Sequence, residues 1–346
     1  MQKRDLKMDV FKGLLMIGMV WCHIIQFFVN VEQNPGMDYV MGYINAITFA
    51  GFVFTFGYTS YIAYFSKYFK DVYRKIIMAS FKILGAFYIS GISFRVFVEH
   101  KPISWELVKN ILILKDIPGW SEFIISFALY ILIAGILFYP IKRLIEMRLL
   151  FWIIVGVLLL TTFISYEKVN SIQLGLLIGT TQFACFPVVQ YMPLYLLGVY
   201  FKRYEITMDK RIMIGAVILS GISLVKIALN NWQLPGRFPP TLFWVILPAF
   251  PLYLYYGVGH MVEKHKVRCN ILLVLGQNTM AYLLLSNLII FALSGVQGIK
   301  PLNSMTAFIA NIVLLGLITY LLKLYRPLTK QKVEKKIKTD IREVGK

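Results

Sequence analysis

The chain has 346 residues, of which 58% are hydrophobic and only 15% are charged, and its mean hydropathy is +0.68. Its apolar runs are too many and too long for one soluble core, so the composition excludes an ordinary soluble enzyme and indicates a polytopic membrane protein. The net charge of +19 does not indicate nucleic-acid binding, because the basic residues are divided among short segments and form no continuous surface.

Ten apolar segments each approach the roughly 20 residues that a helix needs to cross a bilayer. We therefore predict an all-α, polytopic membrane helix bundle of about ten transmembrane helices, with one membrane domain at residues 1–326 and a basic tail at residues 327–346. The predicted spans lie at about 10–30, 40–66, 75–98, 121–140, 149–165, 171–201 (a shorter span within that range), 211–229, 241–261, 270–294 and 304–324.

Basic residues predict the orientation of these spans, because Lys and Arg are retained on the cytoplasmic side of membranes. Their clusters fall in every second loop, so both termini are predicted to be cytoplasmic and the tail to be cytoplasmic and able to contact anionic lipid. The clusters are Lys3/Arg4/Lys7, Lys67/Lys70/Arg74/Lys75, Lys142/Arg143/Arg148, Lys202/Arg203/Lys210/Arg211, Lys264/Lys266/Arg268 and the segment from Lys323 to Lys346.

Two of the loops predicted to lie outside have distinctive sequences. Residues Ile103–Leu114 have the pattern of an amphipathic helix lying at the membrane interface. Residues Asn230–Pro240 are polar and proline-stiffened, which suits the rim of a pocket.

The first span contains a histidine, His23, eleven residues after Lys12. This interval is about three helical turns, or roughly 16 Å, so both side chains share one helix face, and Asp9 is placed to pair with Lys12. An ionisable group inside a span normally faces a bundle interior or a wet cavity, and imidazole suits proton transfer. His23 is therefore a candidate general base; the alternative is a buried, hydrogen-bonded histidine.

Other polar residues in or near the spans have a simpler interpretation. Amides there often bond only to a neighbouring helix, and Arg95 and Lys226 are near enough to span ends to reach the interface. No phosphate-binding loop, nucleophile elbow or metal-ligand spacing is evident, so no metal is predicted. The polar set comprises Asn45, Lys82, Arg95, Glu122, Gln182, Gln190, Lys226, Asn278, Asn287 and Asn311.

Several segments resemble one known family. They are Asp9-Val-Phe-Lys12-Gly with His23, Ala50-Gly-Phe-Val-Phe-Thr-Phe-Gly-Tyr58, Gly119-Trp-Ser-Glu-Phe123, Met192-Pro-Leu-Tyr-Leu-Leu-Gly198 and Leu275-Gly-Gln-Asn-Thr-Met-Ala-Tyr282. Together they resemble the acyltransferase-3 family of bacterial integral membrane acyltransferases.

The chain departs from that family's pattern at three places. Lys12 stands where arginine is usual, the third helix lacks an Arg-x-x-Arg pattern, and Leu285-Ser286-Asn287 stands where a histidine often occurs. Phe238-Pro-Pro-Thr241 and Gly276-Gln-Asn278 are similar to patterns of the related heparan-glucosaminide acetyltransferase-like group.

The resemblance implies a multi-pass enzyme of the bacterial plasma membrane. It would transfer an acyl group, most simply acetyl, from a cytoplasmic acyl-CoA to a hydroxyl of an extracytoplasmic or lipid-linked glycan, with acetyl-CoA or another acyl-CoA as co-substrate and no bound cofactor. His23 and Asp9 would be catalytic, whereas donor phosphates would be bound by Lys12, Arg74, Lys75 and Lys82. The expected acceptor contacts are Arg95, Trp120, Glu122, Trp232 and Arg237.

Three alternatives stay open at this point. The basic residues near the inner ends are equally well explained by membrane topology alone. A transporter or flippase of a glycan precursor would also have many helices and basic inner loops, although no internal repeat is visible. A noncatalytic subunit of polysaccharide assembly would explain the departures from the family pattern.

Overall fold

The computed structural model describes residues 5–34, 36–267, 269–296 and 301–344, with side chains as far as Tyr325. This part of the chain folds into helices and contains no β-strand. The helices are α1 (Leu6–Phe28), α2 (Met37–Ser60), α3 (Phe69–Ser93), α4 (Trp105–Leu112), α5 (Glu122–Ile136), α6 (Phe138–Glu146), α7 (Arg148–Leu160), α8 (Ile172–Ile178), α9 (Val188–Arg203), α10 (Lys210–Leu229), α11 (Leu242–Ile246), α12 (Ala249–Lys264), α13 (Asn270–Gln277), α14 (Thr279–Ser294) and α15 (Ser304–Val344).

Some of the basic residues used to predict the orientation lie outside the part of the chain that the structure describes. Lys3, Arg4 and Arg268 lie outside the described residues, as do the side chains of the predicted basic tail at residues 327–346.

Six helical segments among the described residues are long and apolar enough to cross a membrane. The count rises to eight if each of two bent helix pairs is one span: α5 with α6, which meet at 79°, and α13 with α14, which meet at 83°. The six are Leu6–Phe28, Met37–Phe65, Phe69–Val98, Lys210–Leu229, Leu242–Lys264 and Ser304–Tyr325. The all-α membrane class is thus confirmed, whereas the count of ten and the cytoplasmic termini remain predictions.

Two of the ten predicted spans have neither a full-length helix nor a bent pair that could cross the membrane as one span. The segment predicted at 149–165 forms the short apolar helix Arg148–Phe163. The segment predicted at 171–201 divides into α8 and α9, because the chain leaves helical geometry between Gly179 and Pro187. Apolar composition continues across this break, so hydropathy alone did not reveal it.

Helix α1 lies at the centre of the bundle. Asp5 caps its start by accepting a hydrogen bond from the Met8 backbone N–H at 3.3 Å. The helix packs against α2, α12, α13, α14 and α15. At Gly276 any β-carbon would collide with the carbonyl oxygen of Asp9, so the missing side chain lets α13 approach the α1 backbone directly. The polar residues of α1 therefore face other helices.

The peripheral helices present their apolar side chains outward. Ile218 and Val225 of α10 and Ile309 and Val313 of α15 are exposed, although each lies within a strongly apolar helix. Exposed apolar stripes of this length are what lipid would cover.

The helix predicted within Ile103–Leu114 is confirmed as α4. Ser104 caps it by accepting a hydrogen bond from the Leu107 backbone N–H at 3.2 Å, and Ile111 is buried while Trp105 is exposed. This helix packs on α3. The turn after it leads to Trp120 and the start of α5, which bring side chains to the site described next.

Candidate functional site

His23 lines a cavity of ≈ 180 Å³ that we call the His23 cavity. Its walls come from α1, α2, the start of α5 and the segments before α9 and α11, so residues far apart in the sequence converge there. This volume is below the roughly 300–1,000 Å³ of typical small-molecule sites, so the cavity suits one end of a ligand. The lining residues used below are Met19, His23, Phe49, Trp120, Glu122, Phe123, Phe186, Arg237 and Phe238.

The imidazole of His23 is held on one side by an amide from α14. Nδ1 of His23 lies 3.0 Å from Oδ1 of Asn287, and both side chains are buried. Among the described residues the side chain of His23 forms this hydrogen bond through Nδ1 and none through Nε2, and the residue lines the cavity. One nitrogen of His23 is therefore anchored, while the other is available to a ligand in the cavity.

The turn that directly precedes α5 forms a second wall of the cavity. Trp120 has φ of 55°, a left-handed conformation that few non-glycine residues adopt. Its indole N–H donates to Oε1 of Gln26 at 3.0 Å, and its ring packs on Phe27 and Phe94 with centroid distances of 4.9 and 5.4 Å. Contacts on both sides thus fix the ring of Trp120 beside α1.

A carboxylate and a guanidinium are the two charged groups that line the cavity beside His23. Glu122 is 6% exposed, and its Oε2 is buried without a hydrogen-bond partner among the described residues. Nε of Arg237 is also buried without such a partner, while its guanidinium lies 4.6 Å from the ring centre of Phe238 and 5.1 Å from that of Phe186. Burial lowers the pKa of Arg237, and the negative charge of Glu122 opposes this effect.

Unpartnered charged atoms beside an open volume are unusual in a folded protein, because each costs the free energy of its lost hydration. Glu122 is partly compensated as the first residue of α5, where the helix dipole favours a negative charge. Arg237 is partly compensated by the two aromatic rings. The remaining hydrogen-bonding capacity of both groups is free for a ligand.

The structure therefore brings together four of the eleven predicted site residues. They are His23, Trp120, Glu122 and Arg237. Together they offer an available imidazole nitrogen, an acceptor and a donor of opposite charge, and aromatic walls. A group of this kind can take a proton from a bound hydroxyl while orienting the molecule that carries it.

Two predicted acceptor contacts lie elsewhere. Arg95 forms ion pairs with Asp116 and Glu99, so its hydrogen-bonding capacity is engaged by protein carboxylates. The side chain of Trp232 is 65% exposed and does not line the cavity. The proline-rich loop nevertheless contributes to the site through Arg237 and Phe238.

The predicted pair of Asp9 and Lys12 is confirmed. Nζ of Lys12 lies 2.9 Å from Oδ1 of Asp9, and the carboxylate is buried with Oδ2 unpartnered among the described residues. Asp9 precedes His23 by fourteen residues, or about 21 Å along a helix, so it does not belong to the His23 cavity. Asp9 was predicted to be catalytic and Lys12 to contact the donor. In the structure they form an ion pair with each other within α1.

The other predicted donor contacts are not gathered around Lys12. Arg74, Lys75 and Lys82 are exposed on α3, a helix that packs mainly on α5 and α14. Nε of Arg74 donates to the hydroxyl of Tyr73 at 3.0 Å. In this structure, then, the predicted phosphate-binding cluster is not assembled.

A different set of charges surrounds the start of α1. Asp5 accepts a hydrogen bond from the Tyr58 hydroxyl at 2.9 Å and lies 3.4 Å from Nζ of Lys202. Lys202 also pairs with Glu205 at 2.8 Å, and Lys7 pairs with Glu263 at 3.5 Å. With Asp9 and Lys12, these residues form what we call the paired-charge end of α1.

A packed apolar layer separates this end from the His23 cavity. A β-carbon added at Gly51 would lie within 2.9 Å of side-chain atoms of both Leu15 and Leu252, so these three residues are in close contact. Met16 is fully buried, and Met19, one turn closer to His23, lines the cavity. Buried apolar side chains thus lie between the two polar regions of α1.

Sequence reasoning missed Asn287 as a site residue, although it was in the set of polar residues within spans. Phe186 gave no signal, because an aromatic residue in an apolar chain is unremarkable by composition. Phe238 was visible only as part of the loop predicted to form a pocket rim and of the Phe238-Pro-Pro-Thr241 pattern. No group of three or more His, Cys, Asp or Glu side chains suited to a metal ion occurs among the described residues.

Comparisons with family models and with curated proteins find no match to this chain.

Proposed function

We propose that the protein is a membrane acyltransferase that moves an acyl group, most simply acetyl, from an acyl-CoA to a hydroxyl of a glycan. The observation that carries the proposal is the buried His23, which has one ring nitrogen anchored by Asn287 and the other available in a cavity. The resemblance of the sequence motifs to the acyltransferase-3 family agrees with this chemistry.

In the proposed reaction the hydroxyl oxygen attacks the carbonyl carbon of the thioester. Nε2 of His23 takes the hydroxyl proton as the new C–O bond forms, a step worth roughly 10²–10⁴-fold in rate. The C–S bond then breaks, and the departing CoA thiolate receives the proton. The products are the ester of the glycan and free CoA, and His23 returns to its starting state.

The walls of the cavity suit an uncharged, hydroxyl-rich acceptor. Glu122 can accept hydrogen bonds from hydroxyls and Arg237 can donate to them, and their opposite charges leave the pair without net charge. The rings of Trp120, Phe123 and Phe186 offer apolar surface to the C–H faces of a sugar ring. A few polar groups on an aromatic surface are the usual composition of a small-molecule site.

The donor is proposed to approach from the opposite end of α1, the cytoplasmic end by the positive-inside rule. Its acyl-bearing arm must pass the layer formed by Leu15, Gly51 and Leu252. Met16 and Met19 lie along this route, and methionine is unbranched and flexible enough to be displaced. We propose that this layer opens when the donor binds and otherwise keeps the thioester away from water.

The acceptor is proposed to enter from outside the plasma membrane, with both termini in the cytoplasm and ten membrane crossings. This orientation predicts that a cysteine at Gln233, in the loop that contains Arg237, reacts with a membrane-impermeant reagent added to intact cells. A cysteine at Arg143 must not react under the same conditions. Labelling at Arg143 from outside would overturn the orientation.

The experiment that tests the function uses radiolabelled acetyl-CoA and membranes with and without the protein. The proposal predicts label on a glycan only where the protein is present. Transport of an unlabelled glycan precursor across the membrane, without deposition of label, would assign the protein to the flippase class instead. Absence of both activities, with glycan assembly lost on deletion, would indicate a noncatalytic subunit.

A further inference from the structure

Both polar atoms of the Asn287 side-chain amide contact residues around the His23 cavity. It is fully buried on α14, and its Oδ1 lies 3.0 Å from Nδ1 of His23. Its Nδ2 lies 3.3 Å from the backbone carbonyl oxygen of Trp120 and 3.4 Å from Oγ of Ser90. One side chain thus connects α14 to α1, to α3 and to the turn before α5.

These contacts determine which way the amide points. The carbonyl oxygen of Trp120 can only accept a hydrogen bond, so the amide nitrogen of Asn287 must face it. The amide oxygen then faces His23, and it too can only accept. Nδ1 of His23 must therefore carry a proton and donate it to Asn287.

The Ser90 hydroxyl is compatible with this orientation and links it to α5. It pairs with that of Ser121 at 2.8 Å, and both serines are buried. Ser90 Oγ accepts from Asn287, and in its pair with Ser121 either hydroxyl can be the donor. The chain of hydrogen bonds runs from the start of α5 through α3 and α14 to the imidazole of α1.

We infer that Asn287 is a positioning residue that holds His23 in the Nδ1-protonated tautomer and fixes the base relative to the Trp120 wall of the cavity. In neutral imidazole this tautomer leaves the lone pair on Nε2, the nitrogen available to a ligand. Partners of a functional histidine act in this way when they set its tautomer and ring orientation. The kinetic part of the inference rests on the proposed function, whereas the tautomer does not.

A second buried amide provides a matched control. Asn311 is fully buried on α15, and its Nδ2 lies 3.4 Å from the backbone carbonyl oxygen of Ile17 on α1. Like Asn287 it ties a neighbouring helix to α1, but it does not contact His23 or the cavity. Loss of Asn311 therefore reports on helix packing alone.

Two substitutions at Asn287 separate its two contacts. Asn287→Leu removes both, so we expect kcat to fall about 10–100-fold, by analogy with the loss of the partner of a metal-ligating histidine. Asn287→Asp keeps an acceptor against Nδ1 of His23 but places a carboxylate oxygen against the Trp120 carbonyl. It should mainly displace the Trp120 wall, raising the KM for the glycan about tenfold, the effect of losing about 1.4 kcal/mol. Asn311→Ala should change neither constant.

The experiment combines these kinetics with ¹⁵N NMR of histidine-labelled protein in lipid, in which the two ring nitrogens of His23 are assigned by comparison with His23→Gln. We expect Nδ1 to be protonated in wild type, in Asn287→Asp and in Asn311→Ala. In Asn287→Leu we expect a mixture of tautomers. The NMR result does not require transfer activity, so it stays informative even if the proposed function fails.

A wild-type His23 protonated at Nε2 would overturn the inference. So would a tautomer unchanged in folded Asn287→Leu, or equal kinetic losses in the Leu variant and in Asn311→Ala. If Asn287→Leu does not fold, Asn287→Asp decides the matter: a rise in KM with nearly unchanged kcat supports the inference, and a uniform loss of active protein contradicts it.

Discussion

Charged groups surround both ends of α1, but the two ends differ in how these groups are paired. At the paired-charge end, Asp9 binds Lys12, Asp5 binds Tyr58 and Lys202, and Lys7 binds Glu263. At the His23 cavity, Glu122 and Arg237 keep buried atoms without partners among the described residues, and they lie beside open volume. Oδ2 of Asp9 also lacks a hydrogen-bond partner among the described residues, but its carboxylate is ion-paired with Lys12. Glu122 and Arg237 differ in that their unpartnered atoms lie beside a cavity, which indicates a binding role.

The largest expected effect is at His23. His23→Gln keeps a similar size and can donate a hydrogen bond, but it cannot take a proton at neutral pH. We expect turnover to fall about 10²–10⁴-fold, the contribution of a positioned general base. The measurement is single-turnover transfer from radiolabelled acetyl-CoA, with the thermal midpoint as the folding control. Near-normal turnover in the Gln variant would remove His23 from the chemistry.

The next effect is expected at the charged pair of the cavity. Glu122→Gln and Arg237→Met each remove a charged hydrogen-bonding group from the acceptor site, a loss of about 1.5–3 kcal/mol. This predicts a rise in KM for the glycan of roughly tenfold to hundredfold, with the KM for acetyl-CoA unchanged. Both KM values must be measured, because a rise in the KM for acetyl-CoA alone would indicate that these residues contact the donor and not the glycan.

At the paired-charge end the expected effect is on stability. Lys12→Met leaves the buried carboxylate of Asp9 without its partner, which should cost about 1–3 kcal/mol in the free energy of unfolding. Replacing both residues, with Asp9→Asn added to Lys12→Met, should recover most of the loss. Thermal unfolding in detergent measures it. If stability is unchanged while the KM for acetyl-CoA rises, Lys12 is a donor contact and the contrast between the two ends fails.

The smallest effect is expected at Trp232. Its exposed ring does not line the cavity. Trp232→Ala should therefore change the free energy of unfolding by less than about 0.5 kcal/mol, as is usual for surface substitutions. The KM for the glycan should change by less than about twofold on the same basis. A tenfold rise in that constant would show that the acceptor extends along the loop beyond Arg237.

The sequence predicted the membrane class and most helix positions, and four of its eleven proposed site residues line the cavity. His23 and Glu122 were found because an ionisable residue in or next to an apolar span is costly and so conspicuous. Asn287 was visible only as one of several amides, since its partner depends on how α14 packs against α1, which no local pattern encodes. The break between α8 and α9 was missed because hydropathy measures composition and not backbone geometry.

Arg95 is a different case, because the structure places this predicted acceptor contact in ion pairs with Glu99 and Asp116. It was expected to contact the acceptor because it is a basic residue near the end of a span. Its partner Glu99 follows four residues later, a spacing that places both on one helix face and that the sequence already contained. A search for partners at this spacing would have assigned Arg95 to an ion pair.

The most direct test of the account uses right-side-out membrane vesicles that contain the protein, with radiolabelled acetyl-CoA enclosed inside and the glycan supplied only outside. The account predicts label on the external glycan, and none with His23→Gln, because donor and acceptor reach the His23 cavity from opposite sides of the membrane. Transfer that occurs only when donor and glycan are on the same side, or that persists in His23→Gln, would contradict it.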